Sequence, residues 1–355
     1  MVESSQSVQV HVMDPTPAES PSESYSSLIR EVRQDAFLGD VIDSQAFGRL
    51  SGISFLGAID YVGDWVLPKV CRTRFSHSLG VAALAKYVSK VRGYSTDTER
   101  HLICAALLHD IGHPPLSHSA ESVLKARFGM NHHDLAERLI DGHFGPGRSL
   151  RGILERFVDA ERLKSLISGR SEEPGSDLFR HRINIDTIDG IIRAMHYDKA
   201  YLDTNLPLRM TRAVFLTQDD SRFEAMDWFW RSKNDVYRFL VHSRRGLEAD
   251  YAGQFLFRKL ELSEDDMVSD ERHGSLGSAL RRVSSEVREG QPRAFRFVAR
   301  DYFINSELFS EERYGLAKKA SVLSGNAPES TEGTRQWQWK AIPHKKDFRH
   351  SRSRN

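Results

Sequence analysis

Apolar residues recur at intervals of three and four from Tyr25 to about Leu260, which is the spacing of buried helical faces. Repeated alternation of apolar and polar residues, the sign of half-buried strands, is missing from this stretch. We therefore predict a mainly α fold, a helical core that allows few short strands, near 62–68 and 207–217. The predicted helices lie near 77–92, 99–110, 118–127, 133–142, 149–158, 186–197 and 225–260.

Composition divides the chain into four parts. Residues 1–24 are rich in serine, proline and glutamate and are expected to be disordered, because such sequences cannot bury a core. Residues 25–260 carry the helical pattern and form the predicted folded domain. Residues 261–325, with a further helix near 310–323, suggest a mainly helical extension. Residues 326–355 form a polar, basic tail that is also expected to be disordered.

Charge and composition narrow the classes of partner. The chain has 50 Lys and Arg against 49 Asp and Glu, so no overall field draws it to nucleic acid or membrane surfaces. The basic tail is compatible with nucleic-acid contacts, but a solvated tail is the favoured interpretation. The longest apolar run near the central motifs, Ile103 to Leu108, is far too short to span a membrane. With two cysteines and an N-terminus unlike a signal peptide, we expect a cytoplasmic protein without disulfides.

The most informative feature is the adjacent pair His109 and Asp110, which ends an apolar helical run. An unpaired buried carboxylate costs several kcal/mol, and a bound divalent cation would remove that cost. His77 begins another apolar helical segment, and Asp186 lies in a third. These four residues form a mixed nitrogen and oxygen ligand set suited to Mn, Fe, Mg, Ni, Co or Zn. Asp189 could replace Asp186, and helix capping by the pair is the alternative without a metal.

Four ordered motifs carry a resemblance to a known family. They are I-D-x-x-x-F-x-R-L at 42–50, R-F-x-H-S-L-G-V at 74–81, L-L-H-D-I-G-H-x-P-x-S-H at 107–118 and D-x-x-D at 186–189. Together they resemble the HD-domain phosphohydrolases, and within them the branch that removes triphosphate from deoxynucleotides. The similarity runs from about residue 40 to residue 260. It implies an HD-domain helical core, a divalent metal ion held by the four ligands, and a homo-oligomer.

The resemblance also implies roles in proton transfer. It assigns His113 and His133 as general acid or electrostatic stabiliser, and Glu121 as the residue that orients and polarises His113. His132 competes with His133 for the same role. The alternative for each histidine is a position at the surface or in a helix cap.

Phosphate binding requires cationic donors. Arg74, three residues before His77, occupies the position of the arginine that contacts phosphate in the family. The other expected substrate contacts are His118, Lys233 and His242.

The sequence differs from that branch at positions where the branch has residues that contact the sugar of the nucleotide. Phe55, Gly190 and Ala194 stand where the branch keeps polar groups, so we expect weak discrimination between ribose and deoxyribose. The expected activity is hydrolysis of a (deoxy)nucleoside triphosphate to nucleoside and tripolyphosphate. Two alternatives stay open: a phosphatase or phosphodiesterase acting on a nucleoside monophosphate, cyclic or modified nucleotide, and a nucleotide-sensing or nucleic-acid-binding module whose HD core is inactive.

Overall fold

A computed structural model describes residues 23–199, 203–219, 221–270, 278–280, 282–283, 297–300, 302–304 and 336–337. The helix predicted near 310–323 and nearly all of the two segments expected to be disordered lie outside the described residues.

The prediction of a mainly helical fold is confirmed. The helices are α1 (Tyr25–Gln34), α2 (Ala36–Asp43), α3 (Gln45–Gly48), α4 (Arg74–Arg92), α5 (Thr96–Leu108), α6 (Ser117–Phe128), α7 (His132–Ile140), α8 (Gly145–Leu154), α9 (Ala160–Ile167), α10 (Asp177–Arg180), α11 (Ile185–Met195), α12 (Leu206–Phe215), α13 (Ser221–Val236), α14 (Arg244–Lys259) and α15 (Glu264–Met267). Two strands, β1 (Phe297–Val298) and β2 (Gln336–Trp337), pair in antiparallel orientation. Among the described residues, no helix is long and apolar enough to cross a membrane.

Both predicted strands are wrong. Residues 207–217 lie largely in α12, where Leu208, Thr211 and Phe215 share one buried helical face. Residues 62–68 form an irregular loop that is fixed because the backbone N–H groups of Val66 and Leu67 both bind the carbonyl oxygen of Tyr197. Apolar content alone did not distinguish these segments from strands.

The single helix predicted over 225–260 is interrupted. A π-helical turn, Tyr237–Val241, follows α13, and Ser243 caps the start of α14 by accepting a hydrogen bond from the Gly246 backbone N–H. The apolar pattern therefore located the helical segment but did not reveal the break.

The centre of the fold is α4, which packs against α1, α5, α11 and α12. It begins where the Thr73 side chain accepts a hydrogen bond from the Ser76 backbone N–H, and it ends at Gly93, whose φ of 64° suits glycine. Most residues of α4 and α5 are buried, as expected of helices enclosed by other helices. The beginning of α4 and the end of α5 carry His77 and His109 into the same part of the core.

Two buried arginines connect this core to later parts of the chain. Arg49 donates hydrogen bonds to the carbonyl oxygens of Ile111, His113 and Ser269, and burial lowers its pKa to about 10. It therefore holds the turn after Asp110 against the segment that follows α15. Arg300, in the segment after β1, donates to Asp250, Ser119 and the Leu56 carbonyl oxygen. We call residues 297–300 the Arg300 segment.

Candidate metal centre

Three of the expected ligands converge in the core. The Nε2 atom of His77 lies 3.1 Å from Oδ1 of Asp186 and 3.2 Å from Nε2 of His109. One potential ligand atom from each of the three residues lies within 4.8 Å of the others. His77 is fully buried, whereas the Asp186 side chain is 48% exposed, so the group opens to solvent on the Asp186 side.

Asp110 completes the set. Its Oδ2 atom lies 3.5 Å from Nε2 of His77, and its Oδ1 atom lies 3.4 Å from Nε2 of His109. Ligands at right angles around an ion, each about 2.1 Å from it, lie about 3 Å apart. The separations among His77, His109 and Asp186 fit one divalent ion, and Asp110, the predicted fourth ligand, adjoins both histidines. We call His77, His109, Asp110 and Asp186 the metal cluster.

Asp189, the alternative ligand, lies behind the cluster instead. Its Oδ2 atom is 2.6 Å from Nδ1 of His77, and it also binds Arg193 and the Tyr25 hydroxyl. A carboxylate on the far nitrogen of a histidine fixes the ring orientation and leaves Nε2 for the metal. Sequence reasoning missed Tyr25 and Arg193. The spacing of four residues between Asp189 and Arg193 on α11 was an available signal, but nothing in the sequence pointed to Tyr25.

The electrostatics of the cluster favour a cation. Burial opposes ionisation of Asp110, but Arg74, His109 and His113 hold the pKa of this carboxyl well below its usual range. Burial by itself lowers the pKa of His109, yet Asp110 and Asp186 outweigh burial and raise this pKa to about 9. Without a metal ion, His109 therefore carries a proton at neutral pH. A divalent ion would replace this proton.

A second set of side chains adjoins the cluster. The rings of His113 and His132 stack with centroids 4.2 Å apart, and those of His113 and His118 meet edge to face at 4.7 Å. His133 adjoins His132, with ring centroids 4.0 Å apart. We call His113, His118, His132 and His133 the histidine group.

The predicted pairing of Glu121 with His113 is wrong. Glu121 instead contacts Nδ1 of His118 at 3.1 Å and Nδ1 of His132 at 2.5 Å. The reason is helical geometry, because His118 and Glu121 lie three residues apart on α6 and Glu121 then reaches the first residue of α7. Of the two competing histidines, Glu121 thus orients His132, while His133 is exposed.

His113 has the contacts of a supporting residue. It is 1% exposed, and its Nε2 atom lies 3.2 Å from Oδ1 of Asp110. Burial, with Arg74 and His132 nearby, keeps the pKa of His113 well below its usual range. A neutral imidazole that donates to Asp110 is poorly suited to the general-acid role expected for it.

Backbone contact sets the distance between the metal cluster and the histidine group. Gly112 follows the His109–Asp110 pair, and a Cβ atom there would overlap the His132 carbonyl oxygen and the Ala136 nitrogen. The turn therefore packs directly on the first turn of α7, with no room for a side chain.

The expected phosphate contacts are only partly brought to this place. The Arg74 side chain is 4% exposed and donates to Asp110, Ser117 and the Phe55 carbonyl oxygen, so it supports the metal cluster from within. It still lines the adjoining cavity, as does His118.

Lys233 and His242 lie outside the residues that line this cavity. Lys233 is half-buried beside Trp230, and burial lowers its pKa to about 8 although Asp186 acts in the opposite direction. The Nε2 atom of His242 lies 2.7 Å from the Arg300 carbonyl oxygen, which accepts its hydrogen bond. This backbone contact, rather than phosphate binding, accounts for the position of His242.

The cavity beside the metal cluster has a volume of about 380 Å³. It is lined by His109, Asp110 and Asp186 and by the histidine group. Ile167, Leu178 and Phe179 also line it. Such a combination of polar, metal-binding side chains and apolar side chains is typical of sites for small organic ligands.

Comparison with known proteins follows this geometry. The model of the HD domain family matches residues 74–203. Residues 74–203 are therefore similar to an HD domain. The match contains the whole metal cluster and histidine group, whereas Tyr25, Arg49 and the Arg300 segment contact the matched residues from outside.

Several curated proteins are similar to parts of this chain at modest identity. A deoxynucleoside triphosphate triphosphohydrolase of Dictyostelium discoideum, named as a SAMHD1 homolog, is 28% identical over 45% of this chain and 33% of its own length. An uncharacterised protein of Methanocaldococcus jannaschii is 30% identical over 53% of this chain and 36% of its own length. A deoxyguanosinetriphosphate triphosphohydrolase-like protein of Cereibacter sphaeroides is 35% identical over 28% of this chain and 25% of its own length. The aligned parts thus span about a third or less of these relatives.

Proposed function

We propose that this chain is a metal-dependent phosphohydrolase that converts a (deoxy)nucleoside triphosphate to nucleoside and tripolyphosphate. The observation that carries the proposal is the metal cluster, three residues of which line a cavity beside histidines oriented by Glu121. The names of the relatives from Dictyostelium and Cereibacter favour this substrate class.

The residues of the cluster would hold the ion, which supplies Lewis acidity and lowers the pKa of bound water. Asp189 keeps Nε2 of His77 directed at the ion, and Arg74 keeps Asp110 ionised. The oxygen of water attacks the α-phosphorus and gives up a proton to the solvent, and the bond from this phosphorus to the 5′ oxygen of the nucleoside breaks.

The leaving oxygen must receive a proton, and we assign this step to His132. Glu121 binds Nδ1 of His132, which leaves Nε2 as the atom that gives the proton. Contacts with His118 and His132 outweigh burial and hold the pKa of Glu121 well below its usual range, so Glu121 is the anionic partner of both rings. Burial lowers the pKa of His118 to about 4, and this ring, neutral at pH 7, donates from Nδ1 to Glu121.

Product analysis tests the proposal. The purified chain is incubated with ribo- and deoxyribonucleoside triphosphates and Mn, Mg, Co or Ni, and the products are separated by anion exchange. We expect nucleoside and tripolyphosphate in equal amounts. Nucleotide bound with metal but never converted would contradict the proposal and favour the inactive sensing module.

A phosphatase or phosphodiesterase is the second candidate, and the charge of the cavity favours it. Among the described residues that line the cavity, Arg74 is the one arginine or lysine, and its charge is balanced by Asp110. A monophosphate or diester requires less positive charge than a triphosphate does. Orthophosphate or a linear monophosphate as the first product would support this candidate.

A further inference from the structure

The metal cluster is closed on one side by an aromatic ring. Phe55 is 6% exposed, and its ring centroid lies 4.8 Å from that of His77. The Arg74 guanidinium lies 5.0 Å from the same ring. A Cβ atom on Gly190 would lie 3.5 Å from Cζ of Phe55, so the ring occupies the space beside this glycine. A ligand bound to the cluster cannot extend in this direction.

A ligand bound at the metal cluster can extend into the adjoining cavity. Its apolar wall comes from the end of α9 and from α10, where Ile167 and Phe179 are half-buried and Leu178 is fully buried. The Asn184 side chain donates to the Phe179 carbonyl oxygen at 3.3 Å and fixes the backbone of α10 beside Asp186. The metal cluster and this apolar wall therefore border one continuous space.

We propose that the base of the nucleotide lies against Phe179, and that this residue sets a preference for purines over pyrimidines. The inference rests on the proposed function, because it needs a nucleotide whose phosphate is held at the metal cluster. An aromatic face is a favourable partner for a nucleobase, and stacking accepts every base. The volume of about 380 Å³ falls in the range of small-molecule sites.

Polar groups near this wall are already engaged within the protein. The Ser168 hydroxyl donates to the Lys164 carbonyl oxygen, and Oδ1 of Asn184 accepts from the Thr187 backbone N–H. Selection at the wall thus depends on stacking area more than on hydrogen bonds to the base edge. Purine nucleotides bind more tightly than pyrimidine nucleotides, and adenine differs little from guanine.

The test uses the full chain, Mn²⁺ and the triphosphate of 2-aminopurine riboside, whose fluorescence decreases when the base stacks. Stopped-flow mixing measures binding before turnover, and inorganic tripolyphosphate measures the phosphate end alone. The variants are F179A, F179Y, which keeps a ring, and the control F157A, which removes a 40% exposed ring that does not line the cavity.

We expect F179A to abolish the decrease in fluorescence and to weaken nucleotide binding about tenfold, with tripolyphosphate affinity unchanged. F179Y and F157A should bind within about threefold of the wild type. Equal quenching and equal affinity in F179A and the wild type would contradict the proposed contact between Phe179 and the base, but not the proposed function. A wild type that binds Mn²⁺ but neither nucleotide nor tripolyphosphate would overturn the proposed function together with it.

Discussion

The metal cluster and the histidine group lie side by side but are built differently. Inner partners fix the cluster: Asp189 binds His77, the Ala106 carbonyl oxygen binds His109, and Arg74 binds Asp110. The histidine group is held by ring stacking and by the carboxylates of Glu121 and Asp110, and its His118 side chain is 36% exposed. Metal binding requires fixed distances, whereas proton transfer requires contact with water and substrate. The difference indicates which residues can change without loss of the metal.

The largest effect is expected from Asp110. D110A removes a ligand and one of two negative charges, so bound metal should fall to background and turnover by at least about a thousandfold. Metal analysis and product formation measure the two losses. Because D110A also leaves the buried Arg74 unpaired, D110N, which keeps the shape, serves as the variant expected to fold. Full metal occupancy in D110N would show that Asp110 is not a ligand.

The histidine group should behave in the opposite way. H132A should keep its metal and lose turnover by about a hundredfold, the usual scale for a positioned acid. H133A is the matched control, because the adjacent exposed ring is not held by Glu121, and turnover should stay within about threefold. If H133A were the impaired variant, the proton donor would be His133 and our assignment would be wrong.

A smaller effect tests the inner partners of the cluster. D189N keeps the shape of the side chain but removes the charge that orients His77, and we expect metal affinity to fall by about 10–100-fold. The control is D177N, which removes the charge from a partly exposed pair with Arg92. Metal titration of the two variants should differ by at least tenfold, and equal affinities would reduce Asp189 to a purely structural role.

The smallest expected effect is the change of metal affinity with pH. His109 has a pKa of about 9 without metal, so a metal ion must displace a proton below that pH. Metal affinity should rise about tenfold per unit between pH 7 and 9 and then level off. Because this pKa is raised above the usual value, the metal-free protein should lose stability as pH rises through the same range. Metal titrations and thermal unfolding without metal measure both trends, and a flat affinity profile would contradict them.

Local patterns were the reliable part of the sequence. The apolar spacing located the helices around α4, α5 and α11, and the motifs identified four residues that the structure brings together. Errors arose where contacts distant in sequence decide the outcome. Arg74 is turned inward by Asp110, His242 is engaged by the carbonyl oxygen of Arg300, and Glu121 reaches His132 across two helices. Neither spacing nor composition specifies such partners.

The packing at Gly112 has a consequence for protein engineering and for divergence within the family. The turn contacts α7 through main-chain atoms. Exchanging one side chain for another therefore cannot change the distance between the metal cluster and the histidine group. A graft of the His109–Asp110 turn onto another helical scaffold would have to carry the first turn of α7 as well. Mutational drift faces the same restriction, because an alanine at position 112 would force the proton donor away from the metal before any ligand had been altered.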